Sequence, residues 1–392
     1  MSLLDLWIKS KNQLEGKQVQ QIIAIAGSGK LLDGGDASKE FRNFLSHVQS
    51  SVLARYSQEC LSEKFEASGL ALQDIVNQIG RRLGFEVEDG RYRGTSGQSG
   101  HDGLWSSQLG NTIVVEVKTT DTYRIDLDTI AEYRRQLIQS GRASEDKSSI
   151  LIIVGRQDTG DLEAQIRGSR HAWDIRLVSI DALLRLMRLK ENVDDPQILR
   201  KISEVLIPQE FTKIDGIIDL VFSAAEEVRQ DSDVQEDKES LLEADEQQKL
   251  RSLPANFNDA CVARIQAFLK KPLVRQTRTG YGTPDGSVFV VCAVSKAYSK
   301  PDREGYWYAF HPHQREKLAG VSEGYVAFGC GSEKTVLLIP FKQFQVWLDG
   351  MNTTQLEGRF YWHVQIYQEN KRLFLQRKKG VEKIDLTRYL IG

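Results

Sequence analysis

Asp102, Glu116 and Lys118 are the residues of this chain whose types and spacing could do chemistry together. His101-Asp102-Gly103-Leu104-Trp105 and Ile113-Val114-Val115-Glu116-Val117-Lys118 read as two short strands around the polar turn Ser106-Ser107-Gln108-Leu109-Gly110-Asn111, which makes a hairpin. Side chains alternate along a strand, so Glu116 and Lys118 share a face while Val115 and Val117 point to the apolar side. With the turn centred near Gln108 and Leu109, antiparallel pairing sets Asp102 opposite Val115 and Glu116. Paired carboxylates offer hard oxygen ligands to Mg²⁺, which keeps several waters and takes a phosphate oxygen in its open positions. Lys118 would hold or help deprotonate the attacking water and offset the charge that builds on the phosphorane. The chemistry this predicts is phosphodiester hydrolysis. Glu-x-Lys in a valine-rich strand also makes an ordinary salt-bridged face. Gly100 and Gly103 around the acid favour the chemical reading, because they permit close backbone approach and suit a plain amphipathic strand poorly.

The hairpin needs elements to carry it. From Leu72 to Leu83 apolar residues recur at helical spacing, with Gly84 as a stop before Phe85. After the hairpin come a helix over about 127–140, a buried strand at 150–154, a helix over about 162–171 and an apolar run at 175–183. In this order, and with Asp102 and Glu116-Val117-Lys118 on the hairpin, residues 66–190 resemble the catalytic domain of the Mrr-like restriction endonucleases, in the PD-(D/E)XK nuclease superfamily.

That resemblance implies an α/β fold with a restriction-endonuclease-like mixed sheet flanked by helices. It implies a Mg²⁺-dependent deoxyribonuclease of a restriction or defence system, with Mn²⁺ as a substitute ion. Carried over by position, it makes Asp102, Glu116 and Val117 the metal ligands, Lys118 the catalytic lysine, and Gln73 the occupant of a place where many relatives have a glutamate. Glutamine offers a carbonyl to a hydrated ion but no negative charge, which implies weaker metal affinity or help from Asp74. His101 stands where a proline often precedes the first acid and reads as a turn residue. In such a fold the helix at 161–171 lies near the active face, so Gln165, Arg167 and Arg170 are expected at the phosphate backbone; each also fits a solvated helix face. Cutting both strands usually takes two active sites, so the expected assembly is a homodimer on double-stranded DNA. Two alternatives stay open: a DNA-binding or sensing protein whose nuclease fold has lost catalysis, for which Gln73 is the reason, and a repair or junction nuclease.

The chain has 392 residues, enough for two or three domains. Its net charge of −2 hides an uneven distribution: residues 224–251 hold ten acids and four bases, residues 254–392 twenty bases and twelve acids. The division expected is a helical N-terminal segment at 1–65, a nuclease domain at 66–223, an acidic linker at 224–253 and a C-terminal domain at 254–392. Cys60, Cys261, Cys292 and Cys330 are isolated, without C-x-x-C spacing, which argues against a zinc site or a disulfide framework. No apolar run reaches membrane-spanning length, and Met1-Ser2-Leu3-Leu4-Asp5 does not resemble a secretory signal, so a cytoplasmic protein is expected. Ala24-Ile25-Ala26-Gly27-Ser28-Gly29-Lys30 looks like part of a phosphate-binding loop. It has Ala24 and Leu31 where such a loop needs Gly and Ser or Thr, so no nucleotide cofactor is expected, and the glycines read as a connection between helices at 17–26 and 38–60.

Residues 254–392 read as α+β, with strands near 287–294, 305–310, 325–329, 335–341, 361–367 and 372–376 and helices at 314–319 and 342–351. Aromatics interleave there with cations, and Arg275, Arg278, Lys296, Lys300, Arg377 and Lys378 are the candidates for DNA contact. Tyr306, Tyr308 and Phe310 share one strand face and read as core rather than base platform. His311-Pro312-His313 lacks a partner at ligand spacing and reads as structural.

Overall fold

Runs of valine and isoleucine form the centre of the first sheet, because β-branched side chains pack well on a pleated surface covered on both sides. The computed structural model describes residues 2–63, 65–93, 100–119, 125–155, 160–208, 257–300, 303–356 and 359–391, so the acidic segment expected at 224–253 lies outside the described residues. The chain falls into two units, one within 1–193 and 197–228, the other within 194–196 and 229–392.

The first unit opens with helices α1 (Leu3–Lys9), α2 (Lys11–Leu14), α3 (Val19–Ile25), α4 (Asp36–His47), α5 (Ser50–Ser62) and α6 (Ser68–Leu83). Strands β1 (Glu86–Asp89), β2 (Gly103–Ser106) and β3 (Thr112–Lys118) follow, then α7 (Leu127–Gln139), β4 (Ser148–Val154), α8 (Gly160–Arg167), β5 (Ile175–Ser179), α9 (Ile180–Glu191) and α10 (Pro196–Glu204). The five strands lie in sequence order; β1, β2 and β3 pair antiparallel, while β3, β4 and β5 pair parallel. Val114, Ile150, Ile152 and Val154 pack under α7 and α8, and Ile113, Val115, Leu151 and Ile153 pack on the other face with α6 and α9. Each fully buried aliphatic side chain of this kind contributes about 1.5–3 kcal/mol.

Residues before 65 enter the same core: Leu3, Trp7, Ile22, Phe41, Phe44 and Leu53 join Leu72, Ile79, Trp105 and Leu183 in one cluster. The helix expected over 38–60 is two helices. Val48 and Gln49 are extended, and the half-buried Arg82 guanidinium donates to the carbonyls of Leu45 and Val48 and to Ser50 Oγ, satisfying the end of one helix at the start of the next. The helix expected at 162–171 ends at Arg167.

The second unit holds α11 (Phe257–Leu269), β6 (Val274–Arg275), β7 (Gly280–Gly282), β8 (Val288–Ser295), β9 (Tyr298–Lys300), β10 (Arg303–Phe310), α12 (Pro312–Ala319), β11 (Glu323–Cys330), β12 (Val336–Pro340), α13 (Phe341–Phe344), β13 (Thr353–Leu356), β14 (Arg359–Glu369), β15 (Arg372–Gln376), β16 (Ile384–Asp385) and β17 (Leu390–Ile391). One sheet runs β17-β12-β11-β8-β7-β6 and pairs parallel only between β8 and β11; the other runs β16-β15-β14-β10-β9, with β13 on β14, and is antiparallel. Their facing sides share one core, to which Tyr306, Tyr308 and Phe310 belong, as strand alternation predicts. Among the described residues no helix is long and apolar enough to cross a membrane.

Helix α6 meets the hairpin at Gly80, where an added Cβ would stand 2.5 Å from the fully buried Trp105 ring. Gly80→Ala should therefore destabilise the first unit by about 1–3 kcal/mol, read as a lower urea midpoint.

Candidate active site

The polar face of α6 builds the site from beneath. Gln73, Asp74, Asn77 and Gln78 are all buried on a helix whose other side is aliphatic. Gln73 Nε2 and Asn77 Nδ2, one helical turn apart, each donate to the main-chain carbonyl of Asp102 at 2.9 Å, and Gly90 N–H donates to the same oxygen at 3.0 Å. Asn77 Oδ1 accepts from Trp105 Nε1 at 2.9 Å. Gly103 is required here, since a Cβ would lie 2.2 Å from Asn77 Oδ1. The residue just before β2 is thereby gripped from three directions.

Gly103 pairs with Val115, and the ladder runs one residue further: Asp102 N–H donates to the Val115 carbonyl at 3.0 Å. Asp102 therefore faces Glu116, on the side of the sheet covered by α7. Val117 N–H donates to Asp102 Oδ2 at 2.7 Å, and Lys118 Nζ donates to Glu116 Oε1 at 2.5 Å. Burial and the facing Glu116 push Asp102 up to about 7, against the pull of the Val117 N–H and Lys118. Burial works against the Lys118 ammonium, but Glu116 and Asp102 outweigh it and hold the amine above its usual value. Lys118 is a cation in this arrangement.

Glu116 Oε2 is buried and has no hydrogen-bond partner. A carboxylate oxygen so placed costs free energy until a cation or an ordered water meets it. Glu116 and Asp102 are two hard oxygen donors on a rigid hairpin, a set that suits an ion which completes its shell with water. Among the described residues no three His, Cys, Asp or Glu side chains converge on one point.

Several of the expected site residues also meet protein groups. Val117, counted with the ligands, donates its N–H to Asp102. Gln73 spends its amide nitrogen on the Asp102 main chain and so positions the acid. Asp74, expected to help with the ion, is committed elsewhere: it accepts from Arg42 Nε at 2.8 Å and from the Tyr92 hydroxyl, and its burial pushes it up to about 7. Tyr133, which sequence reasoning missed, stands on α7 over the cluster. Burial and then Glu116 raise its phenol, Lys118 and Asp102 act on it as well, and a Cβ at Gly100 would lie 2.9 Å from its hydroxyl. The one sequence signal was a lone aromatic among Glu132, Arg134 and Arg135 on the first helix after the acidic strand.

On α8 and beyond, the residues expected at the phosphate backbone also meet protein groups. Gln165 accepts from Ile125 N–H at 3.1 Å and donates to the Ile125 carbonyl at 2.7 Å, pinning the entry to α7. Arg167 pairs with Glu163 at 2.8 Å, and Arg170 and His171 both hold Asp128, at 2.7 and 2.9 Å. In the second unit Arg275 donates to the carbonyls of Thr277 and Arg278, and Arg278 pairs with the buried Asp194 at 3.2 Å. Lys378 donates to the Asp349 carbonyl, Arg377 lies against Gly350, and Lys296 is half-buried. The side chain of Lys300 lies outside the described residues.

Two outcomes follow from the grip on Asp102. Gln73→Glu puts an acceptor against the Asp102 carbonyl and should cost about 1–3 kcal/mol in urea unfolding at pH 8. An Asp raised in the folded state from 3.8 to about 7 makes the native form bind more protons than the unfolded chain between those values, so its contribution to stability falls as pH rises through that window. Asp102→Asn should raise the thermal midpoint relative to wild type at pH 8, and the gain should vanish at pH 4.

No protein-family model matches the chain, and no curated protein is significantly similar to it.

Proposed function

We propose that this protein is a metal-dependent DNA endonuclease of a restriction or defence system, acting as a homodimer, with its second unit choosing the target. The observation that carries the reading is the buried, unpartnered Glu116 Oε2 beside Asp102 and the Lys118 ammonium. The element order around it supports the same reading: a helix, an antiparallel hairpin with the acids, a helix, a parallel strand, a helix and a second parallel strand.

Mg²⁺ or Mn²⁺, when bound by Asp102 and Glu116, supplies Lewis acidity to a phosphate oxygen and a more acidic water. The remaining work belongs to the chain. Lys118 keeps its proton at Nζ beside Glu116 and offers it as a donor to the phosphate, offsetting charge as the phosphorane forms. In this reading the Tyr133 phenol, which burial and Glu116 hold above its usual value, keeps its proton and donates it to a second phosphate oxygen. Gln73 and Asn77 hold the Asp102 main chain still, so that its carboxylate does not drift from Glu116. A second reading, a DNA-binding protein without catalysis, is favoured by Gln73, which leaves only two carboxylates at the site.

Plasmid and genomic DNA, methylated and unmodified, incubated with Mg²⁺ or Mn²⁺ should be cut by the wild type and protected by chelation. Lys118→Ala should slow cutting by about 10²–10³-fold and Asp102→Ala should abolish it. Binding without cleavage of any of these substrates would select the second reading, and cutting by Asp102→Ala at the wild-type rate would remove the site from the chemistry.

A further inference from the structure

Trp105 on β2 is fully buried, and a buried indole N–H must find an acceptor or the fold bears the cost of an unmet donor. It meets that demand at Asn77, whose Oδ1 accepts from Nε1–H at 2.9 Å. The ring is clamped where it does so. Gly80 of α6 forms its floor, and the Phe85 ring lies 5.5 Å away, centre to centre, tilted by 35°. Gly103 clears the corner between helix and strand, since a Cβ there would stand 2.2 Å from Asn77 Oδ1 and 3.2 Å from Trp105 Nε1.

An amide has two ends of opposite character. With Oδ1 of Asn77 taken by the indole, Nδ2 is left to face the Asp102 carbonyl, which it meets at 2.9 Å. Turned over, the same amide would set donor against donor at Trp105 and acceptor against acceptor at Asp102. The indole therefore decides which end of Asn77 the strand receives. Trp105 packs in the core on the α6 side of the sheet, while the Asp102 carboxylate faces Glu116 on the side of α7. The Asp102 main chain carries the constraint from one face to the other.

We propose that Trp105 is a positioning residue for the carboxylate pair: its indole N–H orients the Asn77 amide, Asn77 holds the Asp102 main chain, and the Asp102 carboxylate thereby keeps its place beside Glu116. Phenylalanine or leucine would serve the core as an apolar group, but neither brings a donor to this corner. A group one step behind a metal ligand orients that ligand, and its loss typically costs about 10–100-fold in metal affinity or activity. Trp105 stands two steps behind, and it acts only through Asn77.

The effect on metal and DNA rests on the nuclease reading above, whereas the effect on the main chain does not, and the test reads both. In the full chain Trp105 is replaced by benzothienylalanine, which keeps the bicyclic shape and carries sulfur in place of the N–H. Hydrogen exchange of the Asp102 amide, which donates to the Val115 carbonyl, should quicken by about 5- to 10-fold. Mn²⁺ affinity by titration calorimetry and kcat on plasmid DNA should fall by about 10-fold, with KM near wild type. With Asn77→Ala already present, the same replacement should lower neither any further. Phe85→Leu, which disturbs the packing of the ring and spares its N–H, should lower the thermal midpoint and leave Mn²⁺ affinity near wild type. Unchanged exchange at Asp102, an equal further loss in the Asn77→Ala background, or as large a loss of Mn²⁺ affinity in Phe85→Leu would each overturn the proposal. Wild-type protein that neither binds Mn²⁺ nor cuts DNA would remove the nuclease reading, and exchange at Asp102 would still decide the role of Trp105.

Discussion

A single main-chain oxygen organises the first unit: the Asp102 carbonyl accepts from Gln73, Asn77 and Gly90. A helix side chain that holds a strand's backbone fixes both position and direction, which contact between aliphatic groups does not do. The demands of that junction explain otherwise costly choices. Gly103 and Gly90 must lack side chains, because a Cβ on either would overlap Asn77 or the His101 carbonyl. Asn77 must be an amide, since it donates to Asp102 and accepts from Trp105 at once. Gln73 belongs to the same device, and its amide does what a carboxylate could not.

The acids at this junction oppose one another. Two carboxylates facing across a hairpin, both largely removed from water, favour a shared proton or a cation. Lys118 answers part of that demand through Glu116 Oε1, and Oε2 remains unmet by the protein. This is an arrangement that spends stability at one spot, and the rest of the unit carries the cost through its sheet, which is covered by aliphatic side chains on both faces.

The N-terminal helices bear on the same spot. Arg42 of α4 pairs with the buried Asp74, which sits beside Gln73 on α6, and Asp33 accepts from the N–H groups of Tyr92 and Arg93. The chain leading from β1 toward Asp102 is thus tied to residues before 65. A buried carboxylate such as Asp74 is tolerable only with its cation in place, so losing α4 would expose an uncompensated charge next to the site.

Much of this was legible in the sequence because it rests on local periodicity. The hairpin, the two-residue alternation that puts Glu116 with Lys118, the helices on either side and the core placement of Tyr306, Tyr308 and Phe310 need only strand and helix geometry. Charges and amides were not legible in the same way. Gln165, Arg170, Arg275 and Arg278 read as groups for a ligand, and the protein atoms that each of them also meets were not legible, since a long polar side chain can reach many partners and the sequence does not say which is near. Tyr133 acquires meaning only when α7 lies over the acids. Sequence alone determined which faces are apolar and where the acids fall along the chain; tertiary structure decided which polar atoms meet, because hydrogen bonds and ion pairs depend on ångström-scale distances between segments remote in the chain.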